Sequence, residues 1–529
     1  MSNNLLENKS IYQLYKRLFF LTVFFVIAEI GANMNIVSFI TPYKIFLGLL
    51  VLLYFIHLIT DFKNVFNYTA TSVVNSLKPI KFIAIFIILY IAFDLISLFY
   101  TTNIRLGVTK YVTIISMSVI IFFTTLYVSD TKSDDKKDKA NSLLVIFGFS
   151  SLALSLYTIG YLLIFKTTYF SRRLSLLEDY NKYSFVLLFG FLSMLYYLFR
   201  SLDDSKKRNI YMALMSIISI PVIHLSGSRR SSKMMNVLVL IIFIFGFYSL
   251  IEKYSDKDIR KKLKYYLPID FILIILITIA KKFKPTVNPW FIYLVVFIIF
   301  LIKTIMILKK FDFKDLKKRC KNYIITWAII AISSVFIISS FNFITTIKAG
   351  LLVKNNKEVS QHIDSRSVEA ILDDEKALDK RTVIWKIALD EFKKQPMKNK
   401  LIGSGASYHF DIYNKPENKA IMEKVYWKVI PDNLLDPHNF ILVDLLNGGL
   451  IKTAFALLAL LSALVYIIKL NKKSTLDAFF LFIICVTLFG DLMIGAKEGM
   501  LDNKFLWAIF MLLIAVFNEF KDKKEIESK

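Results

Sequence analysis

Runs of apolar residues long enough to cross a bilayer recur from one end of this chain to the other, and no other feature constrains its fold as strongly. The hydrocarbon core of a bilayer is about 30 Å thick, so a crossing helix needs roughly 20 mostly apolar residues. Phe82–Tyr100, Leu143–Phe165, Met235–Ile251 and Trp290–Leu308 are examples of such runs. Of the 529 residues 56% are hydrophobic and 20% charged, a more apolar balance than a soluble chain of this length carries. The expected fold class is therefore all-α: a polytopic integral membrane protein with about 14 transmembrane helices and one large external loop. The expected spans lie near 17–38, 40–60, 80–100, 108–129, 143–165, 183–199, 209–226, 235–251, 265–280, 288–308, 322–347, 438–468, 476–494 and 503–519. No short apolar segment is followed by a small-residue cleavage site, so 17–38 is expected to be a retained first span rather than a removable signal.

The formal net charge is +26, a value that suggests nucleic acid in a soluble protein. Here the Lys and Arg residues mostly fill short loops between apolar runs, as the positive-inside rule expects, and no nucleic acid is implied. Cys320 and Cys485 lie beside or inside separate apolar stretches and show neither metal-ligand spacing nor a disulfide framework. With the N-terminus inside, basic loops such as Arg200–Arg208, Glu252–Lys264, Lys309–Lys321 and Leu470–Lys473 alternate with loops poor in Lys and Arg. Both termini are then cytoplasmic. Lys281, Lys282 and Lys284 fall outside against that trend. So do Arg172, Arg173, Arg229 and Arg230, which stand at short external turns. For any single arginine there a headgroup contact and a functional role are both open readings, whereas two pairs on one face suit an anion, because guanidinium binds phosphate through a planar fork.

The expected organisation is an N-terminal transmembrane bundle over 1–347, an extracytoplasmic segment over 348–437, and C-terminal transmembrane helices over 438–529. In the long segment Ile384, Ile387, Ala388 and Phe392 recur at helical spacing, followed by Pro396. This predicts an amphipathic helix lying flat on the membrane surface. Gly403-Ser404-Gly405 marks a tight turn, which in some proteins cradles phosphate and far more often is only a turn. Asp436-Pro437 predicts a helix start, with Asp436 as cap and His438 and Asn439 in the first turn. A neutral imidazole there can act as a base. His57 falls inside a span as a core residue, His224 near Arg229, and His362 and His409 in loops. Asp373-Asp374 is a carboxylate pair in a charge-rich stretch that suits a solvated helix face. There is no HExxH, no Walker loop and no dinucleotide fingerprint, so neither a metal nor a nucleotide cofactor is expected.

Four stations in order resemble the O-antigen ligase and O-antigen polymerase superfamily of bacterial envelope enzymes. Asp436-Pro-His438-Asn439-Phe through Gly449-Leu-Ile is similar to its His-Asn motif. Arg381 to Trp385, Gln395-Pro396 and Leu401-Ile-Gly403-Ser-Gly405 to Phe410 are similar to its R…W…P…GxG…F run. Ser226-Gly-Ser228-Arg229-Arg230-Ser231 resembles its Ser-Arg-Gly turn, with Arg230 where glycine is usual. Arg173 to Asn181 resembles an upstream Arg…Asn segment.

The resemblance implies a metal-independent membrane glycosyltransferase that takes a glycan from an undecaprenyl-pyrophosphate carrier. His438 and Arg229 would be catalytic, and Arg230, Arg172, Arg173, Arg381 and Asn439 would bind pyrophosphate or glycan. The expected activity is polymerisation of a capsular, exopolysaccharide or O-antigen-type chain at the outer face of the cytoplasmic membrane. A ligase acting on a different acceptor is the first alternative and a flippase or polysaccharide transporter the second. Expected partners are the lipid-linked glycan, membrane lipid and other polysaccharide-assembly proteins.

Overall fold

The computed structural model describes residues 9–31, 40–101, 104–129, 136–165, 180–202, 204–226, 228–254, 314–355, 374–426, 435–495 and 499–527. They are 92% helical with no strand among them, which places the chain in the all-α class. The N-terminal helices are α1 (Lys9–Gly31), α2 (Pro42–Thr60), α3 (Phe62–Leu77), α4 (Lys81–Ser97), α5 (Ile104–Ser129), α6 (Lys136–Phe165) and α7 (Tyr180–Ser201). Next come α8 (Ser205–Leu225), α9 (Arg229–Tyr254) and α10 (Lys314–Asn355). The long segment carries α11 (Asp374–Lys394), α12 (Met397–Ile402), α13 (Tyr408–Asn414) and α14 (Pro416–Tyr426). It is followed by α15 (Phe440–Leu470), α16 (Thr475–Gly495) and α17 (Lys504–Glu527).

Among the described residues, 11 helical segments are long and apolar enough to cross a membrane, and each coincides with one expected span. The expected spans 265–280 and 288–308 lie outside the described residues, and 503–519 falls within α17. Two local expectations change. Residues 62–77, between the second and third expected spans, form α3, whose polar residues alternate with apolar ones at helical spacing. Helix α10 runs on to Asn355. At 1.5 Å per residue its 42 residues span about 63 Å, roughly twice a bilayer core.

The chain forms two compact units, one of Met1–Ser201 with Thr345–Lys529 and one of Leu202–Ile344. In the first, α7 and α17 are the most deeply buried helices: Val186–Leu188 and Phe505–Val516 are almost wholly shielded, and Phe185 meets Phe505 edge-on at 4.7 Å. The outer helices instead show large apolar side chains to the surroundings. Stripes run along α2 (Leu49, Leu52, Phe55, Ile56, Ile59), α4 (Ile85, Ile88, Leu95, Ile96) and α15 (Leu457, Leu461, Val465, Ile468). A soluble protein does not expose such continuous patches, whereas lipid tails solvate them.

Cross-helix bonds fix which ends of these helices lie together. Tyr15 OH and His57 Nδ1 (2.9 Å) join the start of α1 to the end of α2, and Lys139 Nζ donates to Val128 O (3.2 Å) from α6 to α5. Arg200 and Asp477 (3.4 Å) join the end of α7 to the start of α16. At the opposite end Lys504 Nζ donates to Glu29 Oε1 (2.9 Å), and Thr158 and Tyr183 hydroxyls meet at 2.6 Å. Apart from α3, whose C-terminal Ser76 meets the ends of α5 and α17 through Thr125 and Asn518 and so lies at the same end as its start, the helices alternate up and down. Lys16, Arg17, Lys63, Lys78, Lys81, Lys139, Arg200, Lys469, Lys472 and Lys473 gather at the first end, and the long segment docks at the other.

In the second unit Tyr323 of α10 stacks on Phe243 of α9 at 5.7 Å and donates to the Phe243 carbonyl at 3.2 Å. Asp204 caps α8 by accepting from Lys206 N–H (2.8 Å).

Candidate functional site

The strap entering α15 differs from its sequence expectation. Asp436 does not cap the helix. Its buried Oδ1 accepts the backbone N–H of His438 (2.8 Å) and lies 3.0 Å from His438 Nδ1. A carboxylate that bonds the chain two residues ahead forms a turn rather than a cap. Asn439 takes the cap instead, accepting from Ile441 N–H (2.9 Å) and Leu442 N–H (3.3 Å). His438 and Asn439 therefore precede the first helical turn. His438 has φ 50°, a left-handed conformation that costs a non-glycine residue about 1–3 kcal/mol and that the surroundings must hold in place. The indole of Trp385 helps do so, donating to the Pro437 carbonyl at 2.8 Å. The Asp436 carboxylate accepts at Nδ1, which fixes the tautomer and leaves Nε2 as the basic position of a half-buried ring.

Trp385 belongs to α11, and Arg381 lies one turn earlier on the same face. The apolar side of α11 faces protein rather than the membrane surface. Ile384, Ile387 and Ala388 pack with Ile412, Tyr413 and Met422 of α13 and α14, and with Leu442 and Leu446 of α15. Helical periodicity is the same whether lipid or protein covers a face, so the sequence alone favoured the wrong cover. Glu391 ties this small core together. Burial works against its charged form, yet the Lys415 ammonium beside it holds its carboxyl below the usual range.

The Gly403-Ser404-Gly405 turn is docked, not open to a phosphate. Ser404 N–H donates to Leu446 O and Gly405 N–H to Asn447 O, each at 3.0 Å. Those carbonyls are available because α15 is broken at Gly449, whose φ 68° and ψ −166° interrupt the ladder. A broken helix in a membrane must have its freed groups satisfied from elsewhere, and here the turn's amides do so. The approach leaves no room for side chains: a Cβ on Gly403 would stand 2.1 Å from Asn447 O, and one on Gly449 2.4 Å from Leu401 O. The GxG and Gly-Gly stations of the sequence thus meet. Buried His409, expected in a loop, adds its backbone N–H and Nδ1 to Asn447 Oδ1, each at 3.0 Å. Gly403→Ala is expected to undock the turn. Beyond the clash, its φ of 79° alone costs alanine about 1–3 kcal/mol. A lowered apparent Tm in detergent, with faster proteolysis between α11 and α13, is the measurement.

Beneath the break lies a charged centre that the sequence reading passed over. Lys452 Nζ pairs with Asp94 of α4 and sits 3.4 Å from Asp444 Oδ1, with Lys452 and Asp444 essentially inaccessible. Tyr90 OH donates to Asp444 Oδ1 (2.6 Å) and Met500 N–H to Asp444 Oδ2 (3.2 Å). Gly448 is needed because the Lys452 stem lies back across it; a Cβ there would meet Lys452 Cδ at 2.2 Å. The available signal was the presence of Asp94, Asp444 and Lys452 inside apolar runs, where ionisable residues are rare and usually functional.

Of the other expected site residues, Arg172 and Arg173 lie outside the described residues, as do His362 and Asp373. Arg229 and Arg230 are the first two residues of α9 in the second unit. Their turn is built by serines: Ser228 Oγ accepts from Ser231 N–H (3.3 Å), and Ser226 Oγ accepts from Ser228 N–H (3.4 Å). His224 sits 3.0 Å from Asn236 Oδ1 and bonds Ile220 O, while His57 bonds Tyr15 and Leu53 O. Among the described residues no group of three His, Cys, Asp or Glu is placed to hold a metal ion. No protein-family model matches the chain, and no curated protein matches it.

Proposed function

We propose that the chain is a membrane glycosyltransferase that lengthens a polysaccharide on its lipid-pyrophosphate carrier at the outer face of the cytoplasmic membrane. The observation that carries this reading is the His438–Asp436 pair, held at the mouth of α15 by Trp385 of the helix that bears Arg381. His438 Nε2 takes the proton of the acceptor hydroxyl as its oxygen attacks the anomeric carbon. The bond from that carbon to the pyrophosphate oxygen breaks, the configuration inverts, and the lipid pyrophosphate leaves. The family resemblance implies that arginine charge stabilises the leaving group: Arg381 lies in the unit that carries His438, while Arg229 and Arg230 of the other unit, with Arg172 and Arg173, are assigned that role by the resemblance alone. Asn439 holds the strap as helix cap, which is a positioning role. The gathering of basic residues at the end of the first unit opposite the long segment supports an external site, because short basic loops stay inside.

Lysine keeps the charge of arginine but loses the planar fork. Arg229→Lys is therefore expected to lose most glycan output at normal membrane levels, scored by immunoblot of polymer and protein together. Output near the parent's would remove the bidentate phosphate role.

A second reading, transport of the lipid-linked glycan, is favoured by one feature: broken α15 with Lys452, Asp94 and Asp444 buried beside the break, as transporters often carry their sites on discontinuous helices. Reconstituted protein supplied with a lipid-pyrophosphate-linked repeat unit separates the readings. Polymerisation gives a ladder of whole repeats still on the carrier. A single transfer to another acceptor marks a ligase, and movement of donor across the bilayer without bond formation marks a transporter.

A further inference from the structure

Helix α12 is short, docked, and oddly dressed for a segment in water. Met397 and Leu401, one turn apart, are 67% and 39% exposed. Around them Lys393, Lys394 and Lys398 are exposed and Lys400 is half-buried. Two bonds fix the level of this helix against the bundle. Tyr100 OH donates to Ile402 O at 2.7 Å, tying α12 to the end of α4, and Leu401 O abuts Gly449 at the break in α15. Both spanning helices show apolar side chains outward at that level. Phe99 is 87% exposed, at the end of the α4 stripe through Leu95 and Ile96, and Leu450, next to Gly449, is 47% exposed.

We infer that the Met397–Leu401 face of α12 rests in the headgroup layer of the membrane, its lysines on anionic lipid phosphates. The lipid-facing surfaces of α4 and α15 reach Phe99 and Leu450, and α12 is fastened to both at that height. Its apolar face therefore stands where acyl chains begin. Lysine stems extend past apolar side chains to place ammonium groups among phosphates. Ammonium groups at an anionic surface are attracted to it, so the cluster selects anionic lipid over zwitterionic. The membrane contact that the amphipathic pattern of α11 suggested is thus made by α12, while the α11 face is consumed by protein. The long segment is then moored to the membrane beside the strap that carries His438.

The test places an environment-sensitive fluorophore at Met397→Cys in the full chain, with Cys320 and Cys485 replaced by serine, in nanodiscs of phosphatidylcholine with or without phosphatidylglycerol. Glu417→Cys, on the exposed side of α14, serves as the aqueous reference. Emission at 397 should be blue-shifted relative to 417, quenched by lipids spin-labelled high on the acyl chain, and protected from iodide. Lipid-borne quenching should rise with phosphatidylglycerol and lose that rise in Lys398→Glu/Lys400→Glu. Emission at 397 matching 417, with full iodide quenching, overturns the proposal. So does protection from both quenchers, which would mean that protein, such as a second copy of the chain, covers the face.

Discussion

Lys452→Met removes the ammonium between two buried carboxylates and is expected to deplete folded protein from the membrane. Breaking a buried ion pair from one side costs on the order of 3–5 kcal/mol, because the remaining charge is stranded in low dielectric. Here two carboxylates are stranded, Asp94 and Asp444, of which Asp444 keeps Tyr90 OH and Met500 N–H as donors. Adding Asp94→Asn to Lys452→Met removes one stranded charge, so the double variant should recover much of the loss. That sign of coupling separates an electrostatic role from simple packing, since two packing defects at contacting residues do not cancel. Apparent Tm and monodispersity in detergent, measured across the two single variants and the double, give the cycle. A Lys452→Met protein as stable as the parent would mean that Asp94 and Asp444 carry no charge that Lys452 has to balance.

Eleven of the expected spans, the helical class and the amphipathic α11 were legible in the sequence, because length and periodicity are local properties. The His438 strap was legible as a place and not as a geometry. Asp436 and Asn439 are both good caps, and only the fold decides that the carboxylate turns to His438 while the amide caps the helix. The docking of Gly403-Ser404-Gly405 on Asn447-Gly448-Gly449 was hidden for a related reason. A glycine pair announces an unusual backbone without saying which carbonyls lose their partners. Asp94, Asp444 and Lys452 lie far apart along the chain, and a hydropathy average absorbs one charge among some twenty apolar residues without a trace. The arginines divide similarly: Arg381 shares a face with Trp385 and hence with the strap, while Arg229 and Arg230 belong to the other unit.

His438→Ala is the second large effect expected. Removing a positioned general base costs on the order of 10²–10⁴ in rate. The substitution also leaves the buried Asp436 carboxylate with the backbone N–H alone at its Oδ1, so expression, fold and donor binding must be shown intact beside it. A base acts on the transition state, so the loss should fall on kcat with donor affinity preserved. Asp436→Asn should lower the rate as well, because an amide can offer its N–H to the ring and invert the tautomer that leaves Nε2 free. The most direct measurement is the rate of chain extension by purified protein in nanodiscs, given a lipid-pyrophosphate-linked repeat unit and a chelator. Parent protein should build a ladder of whole repeats despite the chelator, while His438→Ala, equally folded and binding donor equally well, extends it at least 100-fold more slowly, about the lower bound for losing a base. A ladder that forms only when magnesium or manganese is restored, or that His438→Ala extends within a few-fold of the parent's rate, would contradict the account.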